Sequence, residues 1–157
     1  MTVDLRALAQ AALVGELEEL RDAVRETAAP LSEQEFWAKP LDPGNSVGHL
    51  VLHLTGNLSY FVGAQLGDTG YVRDREREFT EARPPARADL LAGLDGAVAT
   101  FRHVVGGLTA EQLAGPHPEA RFGTVLKTLV HLVAHFAQHR GQMSYLARLA
   151  KPGGNGG

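Results

Sequence analysis

Along the 157-residue chain, apolar positions recur at intervals of three and four, the spacing that lays a stripe down one side of an α-helix. Leu5, Leu8, Ala12, Leu13, Leu17, Leu20 and Val24 predict a first helix from about residue 3 to 27, ended by Ala28-Ala29-Pro30. Ser32 with Glu35 three residues later forms a capping box that opens a one- or two-turn helix, and Pro40 closes it. After the turn residues of "LDPGNS", Asn45 or Ser46 can cap a second long helix reaching about Leu66. A long connection, about 67 to 87, reads as a solvated loop because the charges of "VRDREREFTEARPPAR" nearly cancel. A third helix follows from about Ala88 to Val105. The link "LTAEQLAGPHPEARFG" carries one helical turn, and a fourth helix runs from about Thr124 to Leu149. Strand-type alternation is absent.

The expected fold class is therefore all-α, a four-helix bundle in one domain over 1–150, with a disordered tail at 151–157. The long second connection predicts a crossover, with the second and third long helices parallel. The start, "MTVDLRALAQAALVG", places Asp4 where a secretory leader wants only positive charge and runs straight into "ELEELRDAVRE". It reads as an amphipathic helix.

Composition narrows the function. A net charge of −3 and no basic run argue against nucleic acid or an anionic membrane as partner, and no stretch is long and apolar enough to span a bilayer. With no cysteine, the chain offers neither disulfides nor a thiolate of its own, and a cytoplasmic location is the default.

The unusual feature is where the seven histidines fall. In "LVHLVAHFAQHRGQ", His131, His135 and His139 lie four apart, and at about 100° per residue they share one face with Thr128, Gln138 and Gln142. Lys127, Arg140 and Arg148 fall toward the opposite side, so the histidines face inward. In "NSVGHLVLHLTGNLSYF", Ser46, His49, His53, Asn57 and Tyr60 make a second uncharged polar stripe. Buried polar stripes need partners, and a metal ion supplies one. His-x-x-x-His on a helix brings two imidazoles within reach of an ion at about 2.0 to 2.1 Å, and a third from a facing helix leaves positions open for water or substrate. A buried histidine is more often a hydrogen-bonded core residue, and one such pair arises readily by chance. Three overlapping pairs, 49/53, 131/135 and 135/139, favour the metal, though spacing does not say which pair binds it. None of the pairs carries the glutamate of His-Glu-x-x-His peptidases, and no Glu-x-x-His di-iron motif is present, so the site reads as mononuclear.

"NSVGHLVLHLTGNLSYFVG", "RDREREF" and "LVHLVAHFAQHRGQMSYL" together resemble the DinB-like (YfiT-like) superfamily of metal-binding four-helix bundles, over about residues 45 to 150. The resemblance implies an up-down-down-up bundle, a homodimer, and a divalent metal such as zinc or nickel held by one histidine of the second long helix and two of the fourth. By position these are His53, in "HLTGN", and His135 and His139, the latter before Arg140-Gly141-Gln142. His49 and His131 then become neighbours, supporting the ligands or lining the pocket, and Asn57, Tyr60, Gln138 and Gln142 orient water, ligands or substrate. Trp37 either walls the pocket or packs at the bundle end. Leu126, Val130, Val133 and Ala137, opposite His135, form a stripe suited to a dimer seam or to cover by another helix.

Relatives in that superfamily include thiol-dependent S-transferases and a mycothiol-dependent isomerase, which suits a chain without cysteine: the metal lowers the thiol pKa and the cofactor brings the sulfur. The expectation is a metal-dependent transferase that adds a low-molecular-weight thiol, such as bacillithiol or mycothiol, to a small-molecule electrophile. A non-catalytic metal-binding or small-ligand-binding stress-response protein is the rival. Sequence leaves the metal's identity open.

Overall fold

The computed structural model of the chain describes residues 2–81 and 84–151. Four long helices carry the fold. These are α1 (Leu5–Ala28), α3 (Val47–Leu58), α6 (Arg87–Gly107) and α8 (Val125–Ala150); short helices α2 (Glu33–Trp37), α4 (Gln65–Gly67), α5 (Arg77–Thr80) and α7 (Ala110–Ala114) lie between them. No strand occurs among the described residues, so the chain is all-α. The expected tail falls, beyond Lys151, outside the described residues.

Local chemistry sets the boundaries. Asp4, Ser46 and Thr124 each accept a hydrogen bond from a backbone N–H three residues on, satisfying a free donor of the first turn. Ser32 and Glu35 close the expected capping box, and Thr109 with Gln112 makes another at α7. At the other end of α6, the buried Gln10 donates to the carbonyls of Val105 and Leu108 at 2.6 and 2.9 Å. A side chain of α1 thus finishes the end of α6.

The second long helix differs from expectation. It does not stay α-helical to Leu66; Ser59–Ala64 is π-helical, and the path stops after Gly67 with Asp68 in the left-handed region at φ 52°. Asp tolerates that conformation through its short polar side chain. A π turn shifts which face later residues present, and such turns recur at functional sites.

The packing pairs α1 with α6 and α8, and α3 with the same two, around one core. Leu17, Phe36, Leu50, Leu54, Leu94, Phe101, Leu129, Phe136 and Met143 fill it, each almost wholly removed from water. Two stretches depart from this order. The apolar stripe of α1 continues beyond the core, leaving Leu5 75% and Leu8 57% exposed. The connection after Gly67, expected to be solvated, turns inward instead: α5 docks on α3, and Glu78 is only 4% exposed. The reason is a charge pairing at the site, which a count of loop charges does not reveal.

Candidate metal centre

His53 comes from the middle of α3, and His135 and His139 from successive turns of α8. One turn separates the two α8 rings, and α3 packs against that face. The three Nε2 atoms converge: His135 Nε2 is 3.3 Å from that of His53 and 3.0 Å from that of His139. One ring nitrogen of each residue lies within 4.8 Å of the others. A tetrahedral ion with Zn–N bonds of about 2.0 to 2.1 Å separates its nitrogens by roughly 3.3 Å, so the spacing is that of a ligand set. The rings stand at 69°, 83° and 88° to one another, each presenting an edge to a common point.

The tautomers decide what those edges carry. His53 Nδ1 lies 2.8 Å from Glu78 Oε2, and a carboxylate only accepts, so Nδ1 holds the proton and Nε2 a lone pair. His139 Nδ1 likewise donates to Gln142 Oε1 at 2.7 Å, freeing its Nε2. Two lone pairs therefore aim at His135. Its Nδ1 is buried without a partner. Burial, then the neighbouring His139, His53, His131 and Arg73, bring the His135 pKa down to about 4. His139 is also lowered, by burial against the opposing pull of Gln142. Neutral, converging imidazoles, two of them with lone pairs fixed toward the third, fit a divalent cation, which answers those lone pairs.

Behind the ligand-type residues stands a support that sequence reasoning missed. Arg73 donates to both oxygens of Glu78, from Nε at 2.6 Å and from Nη2 at 2.9 Å, the forked geometry of a strong charged pair. Burial pushes the Glu78 carboxyl up, but the bonds from His53 and Arg73 outweigh it and leave the group below its ordinary value. Carboxylate–histidine pairs of this type orient a metal ligand and raise its basicity. Gly56 is what lets Glu78 in, since a methyl group there would overlap Glu78 Oε1. "RDREREF" did contain the signal, but nothing in it separates Glu78 from Glu76 before the turn of α5 is known.

The other sequence candidates divide. Asn57 and His131 line a cavity of about 490 Å³ at the triad, together with Phe61, Phe79 and Phe122. His131 is exposed, near-parallel to His135 at 6.2 Å between centroids and 5.2 Å from Phe122. Gln142 supports His139. His49, Tyr60 and Gln138 are absent from the cavity lining. His49 shares a 2.6 Å hydrogen bond with Ser46 and meets the edge of Trp37 at 5.1 Å; Tyr60 packs on Phe61; Gln138 is exposed. Trp37 lies against Phe36, His49 and Gly48, at the end of the helix pair rather than over the triad.

With this geometry in place, comparison gives the lineage. The family model for mycothiol-S-transferase (MST) matches residues 12–150. The chain belongs to the mycothiol-S-transferase family. The fold of this MST-family chain is also that of a solved structure, the crystal structure of a conserved protein from Enterococcus faecalis, at 18% sequence identity and a TM-score of 0.74, covering 95% of this chain and 98% of that one. No curated protein matches the chain significantly. Membership agrees with the resemblance read from "HLTGN" and "HRGQ". No helix among the described residues is long and apolar enough to cross a membrane.

Proposed function

We propose that this chain is a metal-dependent transferase that adds a low-molecular-weight thiol, mycothiol first among the candidates and bacillithiol next, to a small electrophile. His53, His135 and His139 would hold one divalent ion, zinc or nickel. The observation that carries the reading is the convergence of three Nε2 atoms at one cavity, two of them tautomerically fixed as lone-pair donors. A bound ion would supply Lewis acidity, favouring the thiolate of a thiol near neutral pH.

The chain's own residues do the rest. Glu78 and Arg73 hold the His53 ring, and Gln142 holds His139, so the donor set is ordered before any ligand arrives. Phe61, Phe79, Phe122 and Leu132 supply apolar wall, which lowers the local dielectric and favours a small organic substrate over bulk water. Asn57 offers a polar group within that wall.

Assembly, topology and location belong to the same proposal: one domain over 1–150, an up-down-down-up order across the 68–86 crossover, a cytoplasmic location and a homodimer. The seam is the apolar groove of Ala9, Ala12, Leu13, Leu126, Val130 and Val133, extended by the exposed Ala137; Val130 is 53% exposed. Metal analysis of untagged protein, with turnover of a generic electrophile in the presence of mycothiol, bacillithiol or glutathione, tests the reading. One metal per chain with thiol-specific turnover is expected. Stoichiometric metal with no turnover for any thiol would favour a metal-binding module instead.

A further inference from the structure

The cavity over the three histidines carries a second set of charges that the metal centre does not use. Its lining includes Arg73, Arg75 and Arg121 but no Asp or Glu, although the chain as a whole has a net charge of −3. The three guanidiniums are not equivalent. Arg73 is committed to Glu78 through both of its bonds. Arg75 lies over the Phe79 ring, 5.6 Å from its centroid, with no ion pair to a carboxylate among the described residues. Arg121 lies over Phe122 at 4.7 Å and Phe61 at 5.8 Å, its only ionic contact among the described residues a 3.5 Å approach to Glu119 near solvent.

Stacking fixes the plane of a guanidinium while leaving its N–H edge free to donate, and that edge matches a carboxylate. Phe79 lies against the triad, 4.9 Å from His53, whereas Phe122 lies one ring further out, 5.2 Å from His131, which in turn stacks on His135. Asn57 is 8% exposed, lines the same cavity, and makes no side-chain hydrogen bond among the described residues. Its amide is not sealed from water and so is open to a polar group in the cavity.

We propose that this cavity binds a carboxylate-bearing small molecule, its carboxylate held by Arg75 and Arg121, a second polar group by Asn57, and its reactive part over His53, His135 and His139. The inference rests on the transferase reading and gives it a substrate class. Either the thiol or the electrophile can bring the carboxylate.

Calorimetric binding to zinc-supplemented full-length protein separates the two sources with paired probes, N-acetylcysteine against its amide for the thiol and succinate against succinamide for the electrophile. In at least one pair the acid should bind roughly tenfold tighter than the amide, as one or two charge-assisted bonds allow. R75Q/R121Q should abolish that preference without changing metal content, and R75K/R121K should keep part of it. Rising salt should weaken it. Equal affinities within both pairs overturn the proposal, as does an acid preference that survives in R75Q/R121Q, because the carboxylate would then be ligating zinc. An arginine-dependent acid preference in protein that binds no metal and turns over no thiol would sustain the anion site and refute the transferase reading.

Discussion

His49 and His53 sit one turn apart on the same helix, both buried, yet their surroundings make them different groups. His49 is closed off: Nδ1 is bonded to Ser46, and the ring abuts Trp37. Burial and the Lys39 charge, against the pull of Glu81, hold its pKa below the ordinary value. His53 is poised, with Nδ1 committed to Glu78 and Nε2 left to face His135 and His139. His117 repeats the closed pattern, its Nδ1 accepting from the Glu119 N–H and its Nε2 donating to the Phe61 carbonyl, both at 3.0 Å. A histidine becomes a ligand candidate when one nitrogen is satisfied and the other is aimed at its like. A histidine with its partners supplied by cap or backbone is structural.

Replacing the poised residues should have the largest effect. His53→Ala, His135→Ala and His139→Ala should each lower metal affinity by more than the roughly 10- to 100-fold that loss of a supporting residue costs, read by competition with a chelating dye. Glu78→Gln tests the support itself and should fall within that roughly 10- to 100-fold range. Gly56→Ala should resemble it, because the added methyl displaces the same carboxylate. His49→Ala should leave metal affinity unchanged but destabilise the fold by about 2 kcal/mol, the loss of a buried ring and its hydrogen bond, seen in denaturant unfolding of the metal-free protein.

A smaller effect is expected from pH. The folded-state pKa of His135 is lowered to about 4 from an ordinary 6.5, so the unfolded chain binds the proton more readily. Its contribution to stability is therefore present above pH 6.5 and is lost as pH falls through about 4. The Tm of metal-free protein should drop across that window, and less so in His135→Ala. An unchanged slope would mean that His135 is not held neutral by its burial and its neighbours.

The same contrast explains what was legible in the sequence. Helical periodicity located α1, α6 and α8 within a residue or two, because core leucines repeat every turn, and the local cap at Ser46 placed the start of α3. The inward face of α8 was legible only in part: Lys127 and Arg140 are exposed as expected and His135 and His139 are half-buried, but His131, Gln138 and Gln142 of the same stripe are exposed. The resemblance to DinB-like bundles selected His53, His135 and His139 from five stripe histidines, and those are the three brought within 4.8 Å of one another. Spacing alone could not do this, since His49 and His53 share a stripe and differ only in what packs against them. The π turn at Ser59–Ala64 carried no signal in the helical periodicity. The docking of Glu78 was hidden because it depends on a contact between α3 and a residue 25 positions further along the chain, and the glycine in "HLTGN" shows its purpose only when Glu78 stands beside it.

His139, and not His131, is brought together with His53 and His135. Both are one turn from His135, but His139 Nε2 faces His135 Nε2 at 3.0 Å, whereas the His131 ring lies near-parallel to His135 at 6.2 Å and is exposed. Metal titration of His131→Ala and His139→Ala, side by side with the unmodified protein, tests this directly. The geometry requires His131→Ala to bind one ion with unchanged affinity and His139→Ala to lose it; retention by His139→Ala with loss by His131→Ala would contradict the assignment.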